Sequence, residues 1–419
     1  MNRLCTWLLA LVCFFSLSGT AFAEGYSLYE YSARGIALGG ATMARKPDPS
    51  AIAHNAALIA RLPGVHLMGG FTTITPSGSM ETTVGGVKDR SNLKPGTWVV
   101  PHLYYTHQLS DSFTIGVGEF SRFGLGFEYD HDWPGRFNIY RVALDTFSIN
   151  PVIAWAVTDS LSLAAGIELV HVNLDLQKRI PITTVPGAEV DSNIQDASDT
   201  NFGFNLAAHY QFNEQWAAGF QYRSKVRVHS YGDAEFTYYG NPAAKDLVMA
   251  NFPNGSAHAV VTLPDSFAGG VSYSPIPELS IEVGAIYTRW SSFDNLNINF
   301  GSGLPMRNSV STRNWRDVWR LNVGVEYEPL DWLALRAGYV FDQSPMPGNH
   351  EDYLVPTDDR HIFSFGTGFN YCDWTLDLAY GYIMPGDRKY ARKDAVGVVQ
   401  SETKDAKTHM FSFSLGYKF

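Results

Sequence analysis

The side chains that most often carry enzyme or metal chemistry are few and scattered in this sequence. Of its three cysteines, Cys5 and Cys13 lie in an N-terminal signal, so Cys372 has no partner for a disulfide. The 12 histidines show no zinc-ligand spacing, and no serine–histidine spacing indicates a nucleophile with its base. The acidic stretch 130–132 could hold calcium, but its spacing matches no calcium loop. We therefore predict no enzyme, no cofactor and no assigned metal.

The first 23 residues have the features of a secretory signal. Arg3 precedes the apolar stretch Leu8–Leu17, and the small residues Ala21 and Ala23 precede a cleavage point before Glu24. Lipid attachment at Cys13 is disfavoured because the apolar stretch continues past it. Cleavage leaves 30 of the 31 basic residues against 41 acidic ones, a formal charge of 30 − 41 = −11. This charge argues against a nucleic-acid partner.

Some fourteen segments of strand length between residues 65 and 419 must position the remaining side chains. In the last one Phe411, Phe413 and Leu415 alternate with Ser412 and Ser414, so one face is apolar and the other polar. Short polar turns alternate with long polar loops along the chain. The short turns are 109–111, 158–160, 213–215, 274–278, 329–331 and 372–373, and the long loops are 76–96, 129–140, 179–200, 231–258, 291–313, 342–360 and 385–407.

This asymmetry is typical of a closed β-barrel in a membrane, with turns on one side and loops on the other. One such segment alone would favour a strand of a soluble sandwich, but fourteen with alternating connections do not. In lipid an open sheet edge would leave unpaired backbone groups, so the sheet must close. We predict an all-β fold, a 14-stranded antiparallel transmembrane β-barrel over residues 65–419, with both chain ends on the short-turn side.

Residues 24–64 do not alternate and are rich in small side chains. Asp48 as N-cap and Pro49 at the first helical position predict a short helix. The segment could be a disordered tail, but a barrel this wide would leak unless something filled it. We therefore expect residues 24–64 to form an N-terminal plug with short helices inside the barrel, and we call this segment the hatch.

Several short motifs along the mature chain are similar in order and spacing to those of one transporter family. They are Phe123–Tyr129 with Trp133–Arg136, Leu263–Phe267, Trp290–Phe293, Asn314–Asp317, Gly324–Tyr327, Arg336–Tyr339, Asp342–Pro347 and Pro356–Arg360. With the hatch motifs Gly25–Leu28 and Ser50–Leu58, they resemble the FadL-type long-chain fatty-acid transporters of the outer membrane. One departure stands out: the family's hatch usually carries Asn-Pro-Ala, where this chain has Asn55, Ala56 and Ala57.

The resemblance implies a cation near the carboxylate of the cargo, since a charge-assisted hydrogen bond would hold that group. Arg316 matches the family's position, and Lys178 and Arg179 are further candidates. An ion pair of Arg316 with Asp317, and a solvated strand end for the other two, are the alternatives. Gate or scaffold residues at the mouth would be Asp342, Asp358, Asp359 and Arg360.

The resemblance also implies a place of capture and a place of exit. A helix opened by Asn241 and Pro242 would present an apolar capture patch on the loop 231–258. That patch consists of Leu247, Val248, Met249 and Phe252. A kink at Phe123, Gly124 and Gly126 would open the wall sideways, although a crowded barrel corner would also use such glycines.

These observations predict passive outer-membrane transport of hydrophobic molecules, most of all long-chain fatty acids. The steps would be loop capture, transfer to a pocket in the lumen, a hatch shift and lateral exit. A channel for aromatic or aliphatic hydrocarbons is the alternative, and a general porin, a hydrolase or an adhesive barrel are the rivals. The expected partners of the monomeric chain are one hydrophobic small molecule and the outer-membrane lipid.

Overall fold

The fold is taken from a computed structural model that describes residues 25–301, 308–348, 350–356 and 358–419. The expected signal, residues 1–23, lies outside the described residues, as does Glu24. Among the residues described, no helix has the length and apolar character needed to cross a membrane.

One antiparallel sheet contains all the strands. They are β1 Val65–Val84, β2 Val87–Asn92, β3 Trp98–Gln108, β4 Phe113–Phe120, β5 Gly124–Glu128, β6 Arg141–Ala156, β7 Leu161–Ile182, β8 Ala188–Gln211, β9 Trp216–Arg223, β10 Val226–Tyr239, β11 Gly255–Leu263, β12 Ser266–Ile276, β13 Leu279–Thr288, β14 Asn295–Phe300, β15 Asn308–Thr312, β16 Val318–Leu330, β17 Leu333–Asp342, β18 Arg360–Tyr371, β19 Trp374–Pro385, β20 Lys389–Tyr390 and β21 Gln400–Lys418.

The sheet closes because β1 pairs with β21, from His66 opposite Lys418 to Thr83 opposite Gln400. Nine strands cross the wall unbroken, and five further wall strands each consist of two consecutive strands: β4 with β5, β9 with β10, β11 with β12, β13 with β14 and β15 with β16. The predicted 14-stranded antiparallel barrel is thus confirmed. The backbone N–H of Phe419 donates to the carbonyl of Val65 at 2.9 Å, so the barrel begins and ends at the short-turn side.

The outer face of the barrel is apolar, whereas its inner face is polar along strands such as β21. On β21, Phe411 and Leu415 are exposed, whereas Ser412 and Ser414 are buried. This inversion of the usual soluble pattern is what a lipid-facing wall requires. At the short-turn end, the rings of Trp216 and Tyr273 stack at 4.4 Å, as expected for an aromatic girdle.

Short turns lie at all six predicted places, although β12 runs on to Ile276 and β16 to Leu330, which shortens two of them. Several predicted long loops are partly strand. The stretch 179–200 is the clearest correction, because β7 runs on to Ile182 and β8 begins at Ala188. The two strands pair as far as Ile182 opposite Ala188, so a polar hairpin replaces the expected loop. The stretches 76–96 and 291–313 similarly contain β2, β14 and β15. Polar residues alone do not end a strand whose backbone partners continue.

The hatch contains α1 Ala33–Ala37, α2 Ala51–His54 and a 3-10 helix Ala56–Arg61. Helix α2 begins at Ala51, after a turn, and so two positions later than Pro49 predicts. Oδ1 of Asp48 accepts the backbone N–H of Ser50 at 2.7 Å, which is the bond expected of an N-cap side chain. Short helices also lie in the long loops, at Pro242–Ala244, α3 Lys245–Met249, Trp290–Ser292 and Asp394–Val396.

An ion pair and backbone hydrogen bonds to a carboxylate fasten the hatch to the inner face of the wall. Arg34 of α1 contacts Glu326 of β16 at 2.7 Å, and the backbone N–H groups of Met43 and Ala44 donate to Glu282 of β13 at 2.6 and 3.0 Å. These hatch residues are buried. The segment therefore lies in the lumen.

Candidate transport path

An aromatic cluster around Tyr26 lies where three broken wall strands turn inward. The rings of Phe123, Trp290, Phe293 and Trp315 have centroids 4.6 to 6.0 Å from that of Tyr26. All five side chains are buried, and they belong to the motifs on which the family resemblance depends. The breaks thus turn aromatic rings into the lumen, where they hold the start of the hatch.

An apolar cavity of about 40 Å³ is bounded by Tyr26 and Phe293 of this cluster. Aliphatic side chains of β5, β6, β7, β10, β11 and β14 line the rest of it, with Leu354 from a loop and Ser230 as a polar exception. Because apolar cavities with few polar groups suit hydrophobic ligands, the lining of this cavity suits an alkyl or aromatic group.

A second cavity adjoins the apolar one and carries charged side chains. Its lining includes Lys178 and Arg313 together with the acids Asp352 and Asp394. The two cavities share three lining residues, Leu176, Leu296 and Leu354. Arg313 forms an ion pair with Asp352, but its Nε finds no acceptor among the described residues. Lys178 likewise forms no ion pair with any residue that the structure describes. A carboxylate at the boundary of the two cavities would find these donors.

Arg316, the expected carboxylate anchor, does not line either cavity. Its side chain is exposed, and its Nε and Nη2 lie 3.4 Å from the carbonyl oxygen of Ser344. Arg313 is instead the buried arginine, at 4% exposure. The two side chains diverge because Asn314 between them has a positive φ of 47° and the strand is broken there. The geometry therefore moves the candidate anchor from Arg316 to Arg313, which sequence reasoning missed.

Lys178 and Arg179 are consecutive on β7 and so point to opposite faces of the wall. Lys178 faces the charged cavity. Arg179 lies 3.7 Å from the ring centroid of Tyr239 and 3.8 Å from a carboxylate oxygen of Asp191, and it does not line the cavity. Only Lys178 of this pair remains a candidate for the ligand site.

The wall is incomplete beside Phe123, Gly124 and Gly126. Strand β4 pairs with β3 only from Leu103 to Gln108, and β5 pairs only with β6. Among the residues that the structure describes, the stretch 98–102 of β3 therefore has no strand partner on this side. We call this interruption the wall gap.

The hatch and one tryptophan fill the wall gap. The backbone N–H of Leu28 donates to the carbonyl of Arg122 at 2.8 Å, and that of Gly124 donates to the carbonyl of Tyr26 at 2.9 Å. A Cβ at position 126 would lie 2.3 Å from the Trp98 indole, so Gly126 admits this ring. The cavity at the gap shares Leu125 and Leu144 with the apolar cavity.

The hatch motif Asn55, Ala56 and Ala57 is fully buried and hydrogen-bonded. The side chain of Asn55 donates to the carbonyl of Met43 at 2.7 Å and accepts the backbone N–H of Ala57 at 3.2 Å. The backbone N–H of Ala56 donates to Oε1 of Gln221 at 2.9 Å. A proline at position 56 could not make this last bond.

The residues expected as gate or scaffold form a polar network at the loop ends of β16, β17 and β18. Asp342 is buried and accepts hydrogen bonds from Arg320 at 3.2 Å and Arg360 at 2.6 Å. One carboxylate thus joins three neighbouring strands, as a scaffold would.

Asp359 lies beside this network at the end of the long loop. Its Oδ1 accepts the backbone N–H of Ser344 at 2.9 Å, while the backbone N–H of Asp359 donates to Asp358 at 3.0 Å. Burial, and then the nearby carboxylates of Asp358 and Asp342, raise the pKa of Asp359 to about 8. The loop therefore carries an acid that titrates near neutral pH.

The expected capture patch is not one exposed surface. Leu247 is 74% exposed, but Val248 is buried, and Met249 and Phe252 are half-buried against the large hydrophobic cluster of the barrel. The five-residue helix α3 is too short to present all four side chains on one side. Only Leu247 is left as an exposed apolar contact.

In the ranges that the structure describes, no three His, Cys, Asp or Glu side chains are grouped where they could hold a metal.

A closed barrel with an apolar outer face, a lumen filled by its own N-terminal segment and a chain of internal cavities defines an outer-membrane transport protein. Comparison with known proteins agrees with this class. The chain belongs to the family described as "Outer membrane protein transport protein (OMPP1/FadL/TodX)", whose model matches residues 14–419.

Relatives and solved structures cover almost the whole chain. The long-chain fatty acid transport protein of Escherichia coli is 23% identical, with 96% of both chains covered. A FadL homologue of Pseudomonas aeruginosa superposes with a TM-score of 0.82 at 20% identity, covering 94% of this chain and all of that one. The Pseudomonas putida toluene transporter TodX gives 0.73 at 16% identity, covering 94% and 99%. These structural matches establish the fold.

Proposed function

We propose that this barrel transports long-chain fatty acids across the outer membrane. The name of the Escherichia coli relative supports a fatty-acid cargo, and so does the pairing of an apolar cavity with Lys178 and Arg313. The alkyl chain would occupy the apolar cavity, and the carboxylate would bind the two cations at its outer end.

The observation that carries the proposal is that three cavities lie next to one another. The charged cavity and the apolar cavity share Leu176, Leu296 and Leu354, and the apolar cavity shares Leu125 and Leu144 with the wall gap. Cargo could therefore move from the charged cavity through the apolar cavity and the wall gap into the lipid without entering the periplasm. Leu28 of the hatch blocks the wall gap through its bond to Arg122, so the hatch would have to shift before cargo leaves sideways.

Partitioning supplies the driving force. Each Å² of apolar surface removed from water contributes about 25 cal/mol. A fatty acid that leaves solution for the cavity and then enters the bilayer has its apolar surface removed from water, so no coupled energy source is required.

The test compares two arginines three positions apart. Purified wild-type protein, Arg313→Gln and Arg316→Gln are assayed for binding of palmitate and of its uncharged methyl ester. We expect Arg313→Gln to weaken palmitate binding about tenfold, in keeping with the loss of one charge-assisted bond, and to leave the ester unchanged. Arg316→Gln, the matched control, should leave both ligands unchanged. Equal loss of palmitate and ester would contradict a carboxylate anchor at Arg313.

A hydrocarbon channel is the second candidate, favoured by the almost wholly aliphatic lining of the apolar cavity. This function predicts that toluene or an alkane binds as tightly as palmitate. It also predicts that Arg313→Gln leaves the binding of these hydrocarbons unchanged. Large steady single-channel currents would instead indicate an open porin, against both proposals.

A further inference from the structure

Two side chains of β9 clasp the end of the hatch helix α2. Nη2 of Arg223 donates to the carbonyl oxygens of Ile52 and Ala53 at 2.8 and 3.0 Å. Gln221, two positions earlier on the same face, donates to the carbonyl of Ala53 at 3.1 Å and accepts the backbone N–H of Ala56. The position of α2 thus decides whether Arg223 has these acceptors.

Glu168 of β7 lies between Arg223 and a second arginine. Its carboxylate is 2.8 Å from Nη1 of Arg223 and 3.3 Å from Nη1 of Arg122. All three side chains are buried, with Glu168 only 1% exposed. Two buried arginines share the one carboxylate of Glu168. A change in the position of either arginine therefore alters the strength of the ion pair between Glu168 and the other.

Arg122 forms the edge of the wall gap. Its carbonyl accepts the backbone N–H of Leu28, the bond by which the hatch closes the gap, and its guanidinium lies 5.2 Å from the ring centroid of Phe123. An unbroken chain of contacts therefore runs from α2 through Arg223, Glu168 and Arg122 to the gap.

We propose that Glu168 couples the hatch to the wall gap, acting as a positioning residue. When α2 moves, Arg223 loses two carbonyl acceptors and draws the carboxylate of Glu168 towards itself. Arg122 is then held less firmly, and the edge of the gap loosens. The inference rests on the proposed function, since it specifies how a hatch shift would permit lateral exit.

A double-mutant cycle read by amide hydrogen exchange tests the coupling without any cargo. Gln221→Ala loosens α2 by removing the hydrogen bonds of Gln221 to Ala53 and Ala56, neither of which belongs to the gap. In the wild-type background we expect it to speed exchange at the amides of Leu28 and Gly124 about tenfold. In the Glu168→Gln background the same change should speed that exchange less than about twofold, because the link is missing. An equal effect of Gln221→Ala in both backgrounds would overturn the proposal.

A second variant guards against misfolding, since Glu168→Gln leaves two buried arginines without their carboxylate. Arg122→Gln removes the link from the gap side and leaves the pair of Glu168 with Arg223 intact, so it should uncouple the two regions equally well. Glu282→Gln is the matched control: it also removes a carboxylate that holds the hatch, but it has no contact with Arg122. Gln221→Ala should still speed gap exchange in that background.

The outcomes for coupling and for transport are separable. If the protein binds and takes up palmitate but Gln221→Ala does not speed exchange at the gap, the role of Glu168 is refuted and the proposed function stands. If exchange at the gap responds to Gln221→Ala through Glu168 but the protein neither binds nor takes up palmitate, the proposed function is refuted and the coupling stands.

Discussion

The backbone N–H of Ala56 donates a 2.9 Å hydrogen bond to the side-chain oxygen of Gln221, so the hatch is tied to β9 at the position where the family usually carries proline. The preceding residue, Asn55, is extended, with φ −145° and ψ 97°, a conformation that also precedes proline readily. The backbone could therefore accept proline at position 56, and the difference between the two residues lies in this one bond.

Ala56→Pro should loosen the hatch by about 1 kcal/mol, the usual contribution of one buried hydrogen bond. Hydrogen exchange of residues 50–58 measures the change directly. In a Gln221→Ala background the proline should add little, because the acceptor is already gone. A full additional loss in that background would show that proline acts through strain and not through the missing bond.

Repetition along the chain makes the barrel predictable from sequence. Alternation such as that of Phe411 and Ser412 recurs fourteen times, and closure follows from the cost of an open edge in lipid. The predicted boundaries between strands and loops were wrong where backbone pairing continues beyond the apolar part of a strand. The hairpin ending at Ile182 and Ala188 is polar but fully paired, and only its partner strand reveals that.

The candidate site was less predictable because it lies at breaks in the strands. Alternation places a side chain only while the strand continues, and the left-handed Asn314 separates Arg313 from Arg316. The resemblance pointed to Arg316, whereas the arginine that is buried and lines the charged cavity is Arg313. Glu168 carried a usable signal: it continues the inward-facing positions of β7, where a buried carboxylate requires a cationic partner.

Leu28→Pro should open the wall gap. The substitution removes the N–H that donates to the carbonyl of Arg122, while Ser27 before it already pairs in an extended bridge with Phe123. We expect faster exchange at Gly124 and faster palmitate uptake by cells, each about fivefold, as the loss of about 1 kcal/mol implies. Leu28→Ala keeps the N–H and should leave Gly124 protected. If the alanine variant exposed Gly124 equally, side-chain filling and not the backbone bond would close the gap.

Glu326→Gln should detach α1 from the wall. Glu326 contacts Arg34 at 2.7 Å and Arg336 at 2.6 Å, and its loss would leave these buried cations short of a partner. Breaking a buried pair from one side costs about 3 to 5 kcal/mol. The denaturant dependence of hydrogen exchange in residues 33–37 measures the loss.

Glu328→Gln, two positions further along β16, is the matched control for this change. Glu328 also faces a hatch cation, Lys46, but at 3.7 Å and with the lysine side chain 77% exposed. Such pairs contribute at most about 1 kcal/mol. Equal effects of the two substitutions on α1 would refute a special role for the buried pair.

Asp359 should make the stability of the loop 343–359 depend on pH. Its pKa is raised to about 8 in the folded protein by burial and by Asp358 and Asp342, against about 4 in an unfolded chain. Between these values the folded state binds a proton that the unfolded state has released. The free energy of opening the loop therefore falls as pH rises from about 4 to 8, and it is level outside that range.

Exchange of the loop amides from pH 5 to 9, corrected for intrinsic rates, measures this dependence. Asp359→Asn should flatten the profile and hold it near its low-pH level, because the amide imitates the protonated acid. Asp132→Asn, in the exposed part of another long loop, should leave the profile unchanged. A wild-type loop that became more protected towards pH 8 would mean that Asp359 is ionised in the folded state, stabilised by the nearby charges of Arg316 and Arg388.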